Sequence, residues 1–206
     1  MSKREESLDY LARFIPQEAA PGILEYLHHY KVHLTITRGR KTVLGDYRHA
    51  TLYKTHRISV NGDLNQYAFL ITLIHELAHL VTFMQYSNRV QAHGKEWKAC
   101  YGLMLKDFIS KKIFPLPVEQ ALAKSIHNLP ASSCADDDLM RVLKQFDQRQ
   151  NGLVMVEQLP EGQLFDIGEG RIFKKGKKLR KRYQCTEVKT GKVYLFSPIY
   201  EVKAYA

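Results

Sequence analysis

Apolar residues recur at helical spacing near the start of the chain, at Leu8, Leu11 and Phe14 and again at Ile23, Leu24 and Leu27, on either side of Pro16 and Pro21. Two short scaffold helices are predicted there. The pattern changes to period two over His33-Leu34-Thr35-Ile36-Thr37, and Thr42 to Tyr47 and Arg57 to Val60 are also short and β-prone, with Gly39, Gly45 and Gly62 as punctuation. We expect these three segments to form a small antiparallel sheet. From Leu64 to Tyr86 the chain has no Gly or Pro and is apolar nearly all round, at Tyr67, Leu70, Ile71, Leu73, Ile74, Leu77 and Val81, which is the pattern of a buried central helix. A second helix is predicted from Gly94 to Lys111, stopping before Pro115, and a shorter one reaches His127.

The stretch from Pro130 to Asp138 is small, polar and acidic. Asp136, Asp137 and Asp138 open another apolar-periodic run, Leu139 to Phe146, where carboxylates suit the positive end of a helix dipole. Beyond Asn151-Gly152 the sequence turns β-like at Leu153 to Leu159, Gln163 to Ile167, Lys181 to Val188 and Lys192 to Phe196, with Thr190-Gly191 as a tight turn. The expected class is α+β: a small antiparallel sheet on a central helix in residues 1–128, a linker with a short helix in 129–150, and a basic β-rich module in 151–206.

Composition adds one asymmetry. The net charge is +10. From Arg171 to Ala206 there are 11 Lys or Arg against Glu187 and Glu201, so +9 of it lies in the tail. Seven of those cations, Lys174, Lys175, Lys177, Lys178, Arg180, Lys181 and Arg182, fall within nine residues beside aromatic side chains. A basic module on a nearly neutral body predicts an anionic partner, with nucleic acid, such as DNA, ahead of an anionic membrane because no amphipathic apolar helix accompanies the charge. The first residues, Met1 to Ser7, carry no apolar run, and no stretch approaches the roughly 18 uninterrupted apolar residues of a membrane span. A cytoplasmic protein without membrane contact is expected. Cys100, Cys134 and Cys185 form no C-x-x-C pair, so neither a disulfide framework nor a cysteine metal site is specified.

The central helix carries His75-Glu76-Leu77-Ala78-His79. Histidines four apart stack on one helix face, so both imidazoles can reach one ion, and Glu76 is placed to take a proton from water at that ion. With 9 His in 206 residues, the pattern arises by chance in roughly 2% of sequences of this composition, so context has to carry part of the weight. Two histidines and a carboxylate on an otherwise apolar helix are costly to bury alone, and a cation held by neutral imidazoles offsets that. A third ligand is offered downstream in Gln91-Ala92-His93-Gly94-Lys95-Glu96-Trp97, by His93 or by Glu96, with Trp97 able to pack beneath.

The H-E-x-x-H helix followed by H-G and an aromatic residue, with Leu44-Gly45-Asp46-Tyr47-Arg48 and Ile58-Ser59-Val60-Asn61 upstream, resembles the SprT-like family, which includes bacterial members and the eukaryotic relative Spartan. The resemblance spans roughly residues 20 to 128. It implies a minimal zincin-like fold, one Zn2+ per chain held by His75, His79 and His93, Glu76 as catalytic base, and a zinc endopeptidase whose protein substrates are bound or crosslinked to DNA. Tyr47, Arg48 and Tyr101 are available to steady the oxyanion, and His49 and His56 are near enough in sequence to touch substrate. The alternative is a non-enzymatic nucleic-acid-binding or adaptor protein in which the metal is structural. Bacterial relatives commonly end in a zinc ribbon with two cysteine pairs. Here Cys185 stands alone, so the tail is expected to be a degenerate ribbon held by Tyr183, Val188, Tyr194 and Phe196, or another small β module.

Overall fold

The computed structural model describes residues 8–40, 43–126, 136–147, 152–168 and 170–205. The expectations placed on Met1 to Ser7, Thr42, His127, Pro130, Cys134 and Asn151 lie outside them. The chain divides into two compact units, Met1–Asp147 and Gln148–Ala206.

The first unit opens with α1 (Leu8–Leu11) and α2 (Ala20–His29), the latter started by Pro21 in its first turn. Strands β1 (His33–Thr37), β2 (Gly45–Arg48) and β3 (Arg57–Asn61) follow, in the spatial order β1-β3-β2. The expected antiparallel sheet is mixed instead: β2 runs antiparallel to β3, but β1 pairs with β3 in parallel, Leu34 opposite Ile58 and Ile36 opposite Val60. The reason is that β3 inserts between the first two strands and does not follow them as a meander, so β2 becomes an edge. Buried Asn61 holds Arg40 and Val43 ahead of β2: its side-chain amide donates to their carbonyls at 3.1 and 3.0 Å, and its Oδ1 accepts from Arg40 Nε at 2.8 Å.

Helix α3 (Gln66–Tyr86) is the centre of the core. Asn65 caps it, accepting from the amides of Tyr67 and Ala68 at 3.1 and 3.0 Å. Phe69, Leu70, Leu73, Ile74, Leu77 and Leu80 are fully buried, against Ile58 and Val60 of the sheet side and Trp97, Leu105 and Phe108 of α4 (Lys95–Ser110). By length and composition this helix could cross a membrane, but its apolar surface is mostly consumed by the core of the unit. Helices α5 (Leu116–Ile126) and α6 (Asp137–Leu143) complete the unit. Asp136 caps α6 by accepting from the amides of Asp138 and Leu139, and Leu139 and Leu143 are buried in the same core, so the helix read from sequence as part of a linker packs here.

The second unit is a six-stranded antiparallel sheet in the order β4-β9-β5-β6-β7-β8, made of β4 (Val154–Met155), β5 (Leu164–Asp166), β6 (Ile172–Leu179), β7 (Arg182–Glu187), β8 (Val193–Phe196) and β9 (Glu201–Ala204). Its core is Val156, Leu159, Phe165, Phe173, Cys185, Phe196 and Val202. Of the residues expected to hold the tail together, Phe196 does and Tyr183 packs against the cluster, but Val188 is 57% exposed and Tyr194 covers the edge of Phe173 while remaining partly exposed. Phe165 and Phe173, which stack at 5.7 Å, take that role because they sit on the two strands at the middle of the sheet.

Candidate metal centre

Two elements deliver the three histidines. His75 and His79 stand one turn apart on α3, and His93 sits just before the Gly94 N-cap of α4. Their Nε2 atoms converge: His75 to His79 3.2 Å, His79 to His93 3.0 Å and His75 to His93 3.4 Å. Four-coordinate zinc with bonds near 2.05 Å sets its nitrogen ligands about 3.3 Å apart, so this triangle has the dimensions of a tetrahedral site with one corner open. Among the described residues these three form the group able to hold a metal ion; Glu96, the alternative third ligand, is outside it and lies beside Lys95.

The electrostatics suit a cation. Burial and the neighbouring imidazoles push His75 down to about 3, and burial and His93 push His79 down to about 4. Burial also lowers His93, with Lys98 adding to it. All three are therefore neutral near pH 7, the form that offers a nitrogen lone pair to a metal. Fully buried Trp97 lies beneath, its ring 4.7 Å from His75, 5.1 Å from His79 and 4.7 Å from His93. Tyr101 stacks under Trp97 at 4.9 Å. This aromatic floor dries the lower side of the histidine cluster and fixes the ring planes.

Glu76 is only 6% exposed, and burial first and Asp46 second raise its carboxyl to about 8, with Arg40 pulling the other way. Its side chain lies against the backbone of β2: a Cβ on Gly45 would sit 2.5 Å from Glu76 Oε1 and 2.8 Å from Thr72 Cγ2. Gly45 is thus required by space, a role its reading as strand punctuation did not contain. Thr72, one turn before Glu76, is occupied by its own helix, donating to the Ala68 carbonyl at 2.8 Å.

Above the histidines lies an open cleft of about 600 Å³, walled by Val43 to Tyr47 and His49 on the β2 side, by Glu76 and Phe83 on α3, and by Ser87, Asn88 and Val90 to His93 on the other. His49 stacks on Phe83 at 4.8 Å and so lines the cleft, whereas His56 stands behind Tyr47, its Nδ1 2.9 Å from the Tyr47 hydroxyl. Of the three residues considered for the oxyanion, Tyr47 lines the cleft, Arg48 points to solvent and binds Asp46 at 2.8 Å, and Tyr101 is buried under the floor.

The basic run lies in the other unit, on the β6–β7 hairpin. Lys174, Lys177, Lys178, Arg180, Lys181 and Arg182 are exposed. Lys175 is not: it is 5% exposed, its ammonium donates to the carbonyls of Glu157 and Leu159, and it lies 4.2 Å above the Tyr183 ring. It is corrected to a structural residue, because strand alternation turns it inward and leaves its neighbour Lys174 outward. Cys100 and Cys185 are free thiols, and Cys185 is fully buried among apolar side chains.

No curated protein and no solved structure matches this chain. The sequence model of the SprT-like family does match, over residues 18–109. That interval contains the whole three-stranded sheet, α3, all three converging histidines, Glu76 and most of α4. The chain is thus similar to the SprT-like family over residues 18–109, a little under half of its length.

Proposed function

We propose that the chain is a zinc-dependent endopeptidase, with His75, His79 and His93 holding one Zn2+ and Glu76 serving as general base. The observation that carries this reading is a buried carboxylate next to a histidine triangle of tetrahedral dimensions with an open corner facing a cleft. A purely structural site needs neither the open corner nor the carboxylate. The match of residues 18–109 to the SprT-like family, a family of zinc metallopeptidases, supports the same reading.

Bound there, zinc supplies electrophilic activation of water and of a peptide carbonyl at neutral pH. The remaining work belongs to the chain. Strand β2 is a sheet edge beside the cleft, so an extended peptide pairing with it is held as an added strand with its carbonyl groups presented to the site. Glu76 accepts the proton of the attacking water and returns it to the departing amine, and its buried position beside β2 fixes the carboxylate for both transfers. Trp97 and Tyr101 keep bulk water from the underside of the ligands.

The exposed cations of the β6–β7 hairpin support DNA as the partner that brings protein substrates within reach, in the cytoplasm. The test is cleavage of an unstructured protein by purified, zinc-loaded chain, with and without single-stranded DNA. Cleavage by wild type and none by Glu76→Gln is expected. A wild type that cleaves nothing but binds DNA would instead support the non-enzymatic nucleic-acid-binding reading.

A further inference from the structure

The cleft contains a hydroxyl held in reserve. Gly45 and Tyr47 are two apart on β2, so both face α3, and both line the cleft. At Gly45 the strand touches Glu76; at Tyr47 it passes Phe83, one turn beyond His79, with ring centroids 6.5 Å apart. Tyr47 therefore lines the same cleft as Glu76 and the three histidines, on the wall along which an extended peptide would lie.

Its hydroxyl proton can be located by elimination. The Ala50 backbone amide reaches His56 Nδ1 at 3.2 Å, and a backbone N–H only donates, so Nδ1 carries no proton. The Tyr47 hydroxyl, 2.9 Å from the same nitrogen, must also donate to it. One ring lone pair is then shared by two donors. The phenol can leave without orphaning His56, because the Ala50 amide remains. The phenol itself stays protonated, since burial raises Tyr47 well above the ordinary tyrosine value.

Resting on the peptidase reading, we propose that Tyr47 is the donor that steadies the carbonyl oxygen of the scissile bond as it becomes tetrahedral, and that His56 is a positioning residue that parks the hydroxyl in the free enzyme. Neither rival donor lines the cleft: the Arg48 side chain is 66% exposed and paired with Asp46, and Tyr101, though its ring meets that of His75 at 5.4 Å, is buried below the histidines. Removing one such donor costs roughly a hundredfold or more in turnover.

The test uses the full zinc-loaded chain with Tyr47→Phe, His56→Leu and His56→Asn. Tyr47→Phe is expected to lower kcat about a hundredfold, with KM within about twofold and zinc stoichiometry unchanged. It should lose a similar factor in affinity for a phosphinic peptide, a stable mimic of the tetrahedral geometry, while binding the parent peptide normally. His56→Leu should lower kcat about tenfold, and His56→Asn, which restores an acceptor near Nδ1, should recover most of it. An active wild type whose Tyr47→Phe variant keeps full kcat and full phosphinic-peptide affinity overturns this proposal alone. A wild type that cleaves nothing and binds the phosphinic peptide no better than its parent overturns the peptidase reading and this proposal together.

Discussion

A methyl group on Gly45 would stand 2.5 Å from Glu76 Oε1 and 2.8 Å from Glu76 Cγ, so strand β2 and the carboxylate occupy adjoining space with no margin. Gly45→Ala is expected to displace the Glu76 side chain while leaving the histidine triangle intact. Turnover should fall at least tenfold because a small misplacement of a catalytic group is expensive. Zinc content, measured by mass spectrometry of the metal, should stay at one per chain. Undiminished kcat in Gly45→Ala would show that the carboxylate works from another position.

The ligand set predicts a sharp difference between histidines and cysteines. His79→Ala should lose stoichiometric zinc, because two remaining imidazoles cannot complete the triangle. Cys185→Ser should keep one zinc per chain, since that thiol is buried in the apolar core of the second unit. Metal analysis after dialysis reads both, and full zinc in His79→Ala would show that the ligands are others.

Glu76→Gln should cut peptide cleavage by about a hundredfold or more while leaving zinc in place. The same variant has a pH signature in metal-free protein. Glu76 is raised from 4.5 to about 8 by burial and Asp46, so between those values the folded protein holds a proton that the unfolded chain releases. Its contribution to stability is complete below pH 4.5 and is lost as pH rises through 8. His75 and His79, depressed from 6.5, lose theirs in the other direction, as pH falls, and do so in both proteins. Metal-free Glu76→Gln should therefore gain in melting temperature over metal-free wild type on going from about pH 5 to about pH 9, by roughly 5 °C or more. A constant difference across that range would remove the assignment.

Trp97→Ala tests the floor. Deleting a fully buried indole costs about 3–5 kcal/mol of stability, and releasing three ligand rings at once should weaken zinc roughly ten- to hundredfold in a chelator competition. Trp97→Phe, which keeps an aromatic surface under the histidines, should retain most of that affinity. Equal zinc affinity in Trp97→Ala and wild type would make the floor a matter of folding only.

On the hairpin, reversing Lys177, Lys178, Arg180 and Lys181 to Glu should abolish a salt-sensitive binding of DNA, because each neutralised phosphate releases a counterion. Zinc content should be unchanged. Lys175→Met should behave oppositely, lowering the stability of the second unit through loss of its bonds to the Glu157 and Leu159 carbonyls while sparing DNA binding. Gel-shift titrations at two salt concentrations, read beside thermal melts, separate the two effects, and unaltered binding by the charge-reversed hairpin would leave these cations as a solvated face.

What the sequence determined by itself was local. The helical period places His75, Glu76 and His79 on α3 with no knowledge of the rest of the chain, because residues four apart meet within one helix. The Asp136 cap and the start of α4 at Gly94 are legible for the same reason: a cap acts on the turn beside it. Strands β6 and β9 escaped, since a lysine-rich run and a short terminal stretch carry too little apolar alternation to show a period of two. Tertiary structure decided whatever depends on partners far along the chain. The parallel pairing of β1 with β3 needs two segments more than twenty residues apart. The inward turn of Lys175 depends on carbonyls that the fold brings to it, and the requirement for Gly45 on a carboxylate thirty-one residues downstream. Helix periodicity is written into neighbouring residues, whereas strand order and the fit of one side chain against another backbone exist only once the whole core has closed.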